Sequence, residues 1–81
     1  KILYIFASKY KVQSMKLNRI KAVLADKDMS QTELAKQIEK SFSTVNAYCC
    51  NRQQPTLEIL SKIACILNVS IKDLLVDNKE E

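Results

Sequence analysis

Hydroxyl and amide side chains recur at short spacing in the middle of the chain. Ser41, Ser43 and Asn46 lie close together, and the positively charged Arg52 follows them. Amide and hydroxyl groups form hydrogen bonds with base edges in the DNA major groove, and a guanidinium pairs with phosphate. The chemistry that these residue types favour is therefore the binding of nucleic acid.

The sequence lacks the residues that usually carry out catalysis or bind metal ions. The 81 residues include no His and no Gly, which removes histidine bases, histidine ligands and glycine-rich phosphate loops. Cys49, Cys50 and Cys65 form no CxxC pair, so they do not resemble a zinc site. We expect no enzyme activity, cofactor or metal and, without a sensor domain, no small-molecule ligand. The odd cysteine count without a secretory segment fits a reducing cytoplasm, and we interpret the cysteines as packing residues.

The charge of the chain is compatible with nucleic acid without establishing it as a partner. The net charge is +4, and Lys1, Lys9 and Lys11 carry three of the 13 basic charges. From Met15 onward the remaining ten basic residues oppose nine acidic ones. The longest apolar run, Ile2 to Ala7, is far shorter than the ~20 residues that span a bilayer, so we expect no membrane partner.

Two short helices joined by a tight turn must position the hydrogen-bonding groups. Ser30 is a favourable N-cap for the first, Glu33 completes a capping box, and Ser41 can cap the second. Their buried faces follow helical spacing and comprise Leu34, Ala35, Ile38, Val45, Tyr48 and Cys49. The other side of the second helix carries Phe42, Ser43, Asn46, Ala47 and Cys50. Small and amide groups on a capped helix suit a DNA major groove.

Three further helices complete a compact all-α fold of five helices around one core. The first spans Leu17 to Ala25. Thr56 caps the fourth, Asn68 ends it in a left-handed conformation, and Ser70 caps a fifth from Ile71 to Val76. The predicted buried face of the fourth helix comprises Leu57, Leu60, Ile63, Ala64 and Leu67.

Residues 1–14 differ in character from the rest of the chain. Ile2 to Phe6 is apolar and β-branched or aromatic, as in a strand, and Met15 looks like a natural initiator. The segment is a translated leader or an artificial extension, a strand that pairs with its twin in a dimer, or a disordered or loosely packed arm. We therefore divide the chain into an N-terminal extension, residues 1–14, and a helix-turn-helix domain, residues 15–81.

Short segments along residues 17–75 resemble the phage-repressor and Cro-like helix-turn-helix family, also called the xenobiotic-response-element (XRE) family. They match in order and spacing, and they are Arg19-Ile20-Lys21, Met29-Ser30-Gln31, Glu33-Leu34-Ala35, Ser43-Thr44-Val45, Pro55-Thr56-Leu57-Glu58, Lys62-Ile63-Ala64 and Leu67-Asn68-Val69-Ser70. Each segment alone is weak, but the ordered set is specific. The resemblance implies a repressor-like domain whose second helix-turn-helix helix enters the major groove.

The resemblance also implies roles for individual residues. Base edges are faced by Phe42, Ser43, Asn46 and Ala47. Phosphates are met by Gln31, which also braces the recognition helix, and by Ser41, Arg52 and Gln53. Less specific roles stay open: Gln31 and Asn46 as solvated helix residues, Phe42 packed on its own domain, and Arg52 as a solvated loop residue.

Three departures from the family pattern have structural consequences. Glu39 stands in the turn where the family usually has Gly, and a positive φ there costs on the order of 1 kcal/mol. Lys40 replaces a commonly apolar residue, so we expect its stem to cover the core. Leu24 and Cys49 replace a buried Arg and Glu pair, and we expect them to meet in an apolar contact.

The sequence thus favours a sequence-specific, double-stranded DNA-binding transcriptional regulator, bacterial or phage in origin, cytoplasmic and nucleoid-associated. We expect a homodimer on a two-fold symmetric operator, because one small domain buries little DNA surface. Its interface would use Ile71, Leu74, Leu75 and Val76, with or without Ile2 to Phe6. The alternative is a protein-interaction module of the same fold, antitoxin-like or polymerase-binding, and an enzyme is the least favoured class.

Overall fold

The computed structural model describes residues 16–77, which form four α-helices and a terminal 3₁₀ helix. The elements are α1 (Ile20–Asp26), α2 (Gln31–Ile38), α3 (Phe42–Cys49), α4 (Leu57–Leu67) and the 3₁₀ helix (Ile71–Leu74). α2 packs against α3 and α4, while α1 packs against α3. The 3₁₀ helix closes the domain against α1 and α4. The predictions for residues 1–14 lie outside the described residues.

Side-chain caps start α2, α3 and α4 where the sequence predicts them. Ser30 Oγ accepts the Glu33 N–H, Ser41 Oγ accepts the Thr44 N–H, and the Thr56 hydroxyl accepts the Ile59 N–H. Each cap satisfies a backbone donor that a helix start leaves without an intrahelical partner. The second half of the predicted Ser30 capping box is absent from the described hydrogen bonds, where the Glu33 carboxylate accepts from the Gln37 amide instead.

One hydrophobic core joins all five elements. Its most enclosed aliphatic side chains are Ile20, Leu34, Val45, Ile63 and Leu74, each 0% exposed. Leu24 and Cys49 are both buried in this core, as predicted, while a direct contact between them stays a prediction. The prediction for Leu57 is wrong, because this first residue of α4 is 75% exposed. It has helical spacing with the buried face but lies at the end of the helix, beyond the core.

Pairing between the two ends of the domain corrects two helix boundaries. The first helix begins at Ile20 and not at Leu17, and the fifth is a 3₁₀ helix that ends at Leu74 and not at Val76. The Arg19 N–H donates to the Leu74 carbonyl at 2.8 Å, and the Val76 N–H donates to the Leu17 carbonyl at 2.9 Å. This antiparallel bridge, centred on Asn18 and Leu75, holds both segments extended.

Four non-glycine residues adopt a positive φ between the elements, namely Asp28, Glu39, Asn51 and Asn68. The predicted left-handed conformations of Glu39 and Asn68 are confirmed, with φ of 59° at each. The following backbone returns to the helix, since the Lys40 N–H donates to the Ala35 carbonyl. A chain without Gly thus makes its tight turns with Asn, Asp and, less favourably, Glu.

The cysteines divide into one buried and two exposed residues. Cys49 lies in the core, whereas Cys50 and Cys65 are exposed. Packing therefore explains Cys49, and the packing interpretation is wrong for the other two. Across residues 16–77, no helix has the length and apolar character needed to cross a membrane.

Candidate nucleic-acid interface

α2, a three-residue turn and α3 form a helix-turn-helix. The turn runs over residues 39–41, with Glu39 left-handed and Ser41 already capping α3. α2 and α3 pack against each other through their buried faces. This packing fixes the direction of α3, which we call the recognition helix, relative to the capped N-terminus of α2.

The outward side of the recognition helix carries three of the four predicted base-contacting residues. Phe42 is 53% exposed and Ser43 is exposed, while Asn46 is half-buried. The exposure of Phe42 supports the groove-facing interpretation over packing within the domain. These side chains are uncharged, so they present hydrogen-bonding groups and an aromatic edge rather than an electrostatic contact.

Ala47, the fourth predicted base-contacting residue, differs from the other three. It is buried, at 9% exposure, because the chain folds back over the end of the recognition helix. Its carbonyl accepts the N–H groups of Arg52 and Gln53, at 3.0 and 3.3 Å. Cys50, which the sequence also placed on this side, is exposed. Ala47 therefore offers little surface to a base edge in this arrangement.

Gln31 lies at the first position of α2 and is half-buried. Its side-chain Oε1 is the one buried polar atom without a hydrogen-bond partner among the described residues. Because the amide oxygen is the buried atom, and Nε2 forms none of the described hydrogen bonds, the Nε2 group is available to donate to a ligand at the surface. A phosphate needs a donor, and the N-terminus of a helix also favours an anion. This geometry favours a role for Gln31 beyond that of a solvated helix residue.

The hydroxyls of Ser41 and Thr44 form a pair at the start of the recognition helix. Ser41 Oγ donates to Thr44 Oγ1 at 3.0 Å while accepting the Thr44 N–H. Each hydroxyl carries one proton, so the pair keeps one O–H for an external acceptor. Sequence reasoning assigned this donor to Ser41 alone and missed Thr44, although its position three residues after a serine cap is a visible signal.

The loop after the recognition helix carries the predicted phosphate contacts Arg52 and Gln53, both exposed. Their backbone N–H groups are bound to the Ala47 carbonyl, so only their side chains are available to a ligand. Arg52 is the one charged residue in the sequence between Lys40 and Glu58. It places one positive charge in the loop directly after the recognition helix.

A buried amide network supports this loop, and sequence reasoning missed it. Asn18 and Asn51 are 2% and 8% exposed. The Asn51 side chain bonds to the Asn18 backbone, the Asn18 side chain donates to the Tyr48 carbonyl, and both side chains bond to Gln54. The left-handed φ of Asn51 follows from its place after a helix, but its partner lies 33 residues earlier. No local pattern indicates such a pair.

A cleft of about 390 Å³ lies between α1 and the end of the recognition helix. Its charged lining residues are Lys16, Arg19 and Lys21. Cys49 also lines it, and burial raises the pKa of this thiol to about 11, with Cys50 adding to the increase and Lys21 opposing it. A thiol held neutral is a poor nucleophile. Across residues 16–77, no group of His, Cys, Asp or Glu is arranged to hold a metal ion.

Comparison with known proteins supports the interpretation of this geometry. The sequence model of the helix-turn-helix family matches residues 20–74. An uncharacterised HTH-type transcriptional regulator of Archaeoglobus fulgidus is 33% identical over 63 residues, which cover 78% of this chain and 89% of that protein.

Solved structures show the same fold. One is the crystal structure of a protein from Bacteroides fragilis that carries a provisional description as a DNA-binding protein. It has a TM-score of 0.74 and 45% identity, and the match covers 76% of this chain and all of that chain. A hypothetical transcription factor from Neisseria, NHTF, has a TM-score of 0.66 and 29% identity, covering 76% of this chain and 71% of that chain. These relatives include an archaeal protein and bacterial ones, so the predicted bacterial or phage origin stays a prediction.

Proposed function

The chain belongs to the XRE-type, Cro/C1-like helix-turn-helix family of DNA-binding transcriptional regulators, and we propose that it binds a specific duplex operator as a homodimer. The family is non-enzymatic, in agreement with the sequence-based expectation. The finer parts of the proposal are the placement of the recognition helix in the major groove, the residues that contact DNA and the oligomeric state.

The outward side of the recognition helix carries this proposal. Phe42 and Ser43 are exposed in its first turn, and the Asn46 amide follows one turn later. An amide can donate and accept together, which matches the adenine edge, while an aromatic ring can touch a thymine methyl. The caps at Ser30 and Ser41 hold both helices of the motif in place without using these groups.

Phosphate contacts would flank the base-reading side. Gln31 with its outward amide nitrogen lies at the start of α2, and Arg52 and Gln53 lie beyond the end of the recognition helix. The Ser41 and Thr44 pair adds one hydroxyl donor. Such contacts set the register of a protein on the duplex, whereas base contacts carry the sequence information.

The homodimer part of the proposal rests on the apolar surface at the C-terminal end of the domain. Leu75 is 41% exposed, and Ile71 and Val76 are half-buried. Leu74, which the sequence assigned to the interface, is completely buried in the core and is therefore excluded from it. A dimer would double the DNA surface buried by one small domain.

A protein-interaction module is the second candidate function. The near balance of charge from Met15 onward and the exposed apolar side chains of Phe42 and Leu57 favour it. Such a module would bind duplex DNA weakly, without sequence preference. A DNA-binding protein that neutralises phosphates instead loses affinity steeply with salt.

Selection of bound sites from a random duplex library, followed by titration at two salt concentrations, tests the proposal. We expect an enriched sequence with two half-sites about 10 base pairs apart, centre to centre. The selected duplex should bind more tightly than random duplexes, with an affinity that falls as salt rises. A pool that stays random together with salt-independent binding would favour the interaction module.

A further inference from the structure

Asn51 follows the recognition helix with a left-handed backbone, φ 60°, and is 8% exposed. Its side-chain Oδ1 accepts the N–H groups of Leu17 and Asn18, at 2.8 and 2.9 Å, and the Gln54 amide at 3.1 Å. Its Nδ2 donates to the Asn18 carbonyl at 3.2 Å. One side chain thus ties the loop to the segment that precedes α1.

The Asn18 side chain links the segment before α1 to the recognition helix. Its Nδ2 donates to the Tyr48 carbonyl at 2.9 Å and to Gln54 Oε1 at 2.7 Å, while its Oδ1 accepts the Ile20 N–H at 3.0 Å. Every side-chain nitrogen and oxygen of the two asparagines has a partner. A buried polar network that is fully satisfied holds its members in one arrangement, because each alternative leaves a polar group unpaired.

The network surrounds the residues that face DNA in the proposed function. Arg52 and Gln53 lie between Asn51 and Gln54, both of which are network members. Their own N–H groups bind the Ala47 carbonyl in the last turns of the recognition helix. The backbone of Arg52 is therefore anchored on both sides and fixed relative to the base-reading residues.

We propose that Asn51, held by Asn18, is a positioning residue for DNA binding, which places the Arg52 and Gln53 side chains against phosphate in register with the recognition helix. The inference deepens the proposed function and rests on it. Because the network already fixes the loop backbone in the free protein, DNA binding does not have to order it. The full interaction energy of the Arg52 and Gln53 contacts with phosphate then contributes to affinity.

The choice of Asn at this position supports the assignment. Glycine meets a positive φ at the lowest conformational strain, and a turn alone would need nothing more. Asn68 has nearly the same backbone conformation, φ 59°, but it is exposed and its side chain forms none of the described hydrogen bonds. The two positions therefore separate the backbone requirement from the contribution of the amide.

This pair supplies a matched experiment. Asn51→Gly removes the amide and keeps the left-handed backbone, and Asn68→Gly makes the same chemical change away from the network. For folded Asn51→Gly we expect about tenfold weaker binding to the selected and random duplexes alike, and a salt dependence lower by about one phosphate contact. Asn68→Gly should bind as the parent does. Equal binding by Asn51→Gly and the parent would overturn the proposal.

A double-mutant cycle with Arg52→Ala separates positioning from general stabilisation. If Asn51 acts through Arg52, adding Asn51→Gly to Arg52→Ala should weaken binding by much less than tenfold, because the contact being positioned is already gone. Fully additive losses would contradict the proposal. Circular dichroism of each variant under the binding conditions excludes unfolding as the cause.

Gln54→Met provides a second route if Asn51→Gly fails to fold. Gln54 is exposed, so the substitution removes one bond from each asparagine at a site that tolerates change. A smaller loss of affinity that also disappears in the Arg52→Ala background would support positioning, and a loss unaffected by Arg52→Ala would contradict it. Binding of the parent protein reports on the proposed function separately, since a parent that ignores duplex DNA would refute that function itself.

Discussion

The Cys50 thiol lies 3.9 Å from the side-chain oxygen of Asn46, one turn earlier on the recognition helix. A thiol is a weak donor, so this contact orients the Asn46 amide at little cost to its hydrogen-bonding capacity. The Nδ2 group forms none of the described hydrogen bonds. Both edges of the amide are therefore available to an adenine, which needs a donor and an acceptor at once.

Replacing Asn46 with Ala should reduce sequence specificity. We expect a loss of about 1–3 kcal/mol on the selected duplex and a much smaller loss on unrelated DNA, because only the former presents the matching base edge. Fluorescence titration of both duplexes measures the difference.

Arg52→Ala is the contrasting variant for that experiment. It should weaken binding to all sequences together and reduce the salt dependence by about one phosphate contact. If Asn46→Ala instead lowers both affinities equally, the assignment of the base-reading side is wrong and the interaction-module hypothesis gains support.

Glu39→Gly should stabilise the fold. Glu39 is exposed and left-handed, with φ of 59°, so its Cβ is strained by ~1 kcal/mol or more. Greater flexibility of Gly in the unfolded chain offsets part of the gain, which leaves about 0.5–1 kcal/mol. Urea unfolding measures it, with Asn68→Gly as a control that should gain less because Asn tolerates this conformation. A destabilised Glu39→Gly protein would show that the Glu39 side chain makes a favourable contact.

Local signals predicted the framework of the fold and most of the candidate interface. The caps at Ser30, Ser41 and Thr56 and the left-handed Glu39 depend on residues within one helical turn, so sequence spacing is enough to find them. The exposure of Phe42 likewise goes with a local feature, its place as the first residue of the recognition helix.

The sequence did not predict the features that depend on contacts between residues far apart in the chain. The bridge between Asn18 and Leu75 keeps the first helix from starting before Ile20 and the 3₁₀ helix from continuing past Leu74. Helical periodicity carries no information about such pairing. Ala47 has the spacing of a surface residue, but the loop that follows folds over it. The Asn51 side chain reaches the Asn18 backbone, 33 residues earlier, only when the whole domain has folded.

A chain that begins at Met15 should fold and bind the selected duplex. The network and the end-to-end bridge need Leu17 and Asn18 but no earlier residue among those described. A chain that begins at Ile20 keeps all four α-helices and loses these bonds, so its free energy of unfolding should fall by a few kcal/mol, about the cost of leaving buried polar groups unpaired. Thermal unfolding followed by circular dichroism compares the two. Equal stability would show that the network contributes little, and an unfolded Met15 chain would make residues 1–14 structural.

Thiol reagents should distinguish Cys49 from the other two cysteines. Cys50 and Cys65 are exposed and should react quickly, while Cys49 is buried with its pKa raised to about 11 and should react only on unfolding.

Because the folded state holds the Cys49 proton more tightly than the unfolded state, the contribution of this thiol to stability is complete below about pH 9 and is lost as pH rises towards about 11. At ~1.4 kcal/mol for each pH unit between the two pKa values, the loss should reach at most ~3 kcal/mol. Urea unfolding of the parent, Cys49→Ala and Cys50→Ala across this range measures it, and a pH dependence unchanged by Cys49→Ala would contradict the assignment.

Leu75→Glu should separate dimerisation from folding. Leu75 is 41% exposed, so a charge there leaves the core intact, whereas Leu74→Glu places a charge in a completely buried position and should unfold the domain. We expect the parent to sediment as a dimer at micromolar concentration and Leu75→Glu to sediment as a folded monomer with weaker operator binding, because each half-site is then bound alone. Leu57→Glu is the matched control, since Leu57 is also an exposed leucine but lies at the other end of α4 from the 3₁₀ helix. A parent that is monomeric with and without DNA would remove the homodimer from the proposed function, and a dimer that persists in Leu75→Glu but dissociates in Leu57→Glu would move the interface to the start of α4.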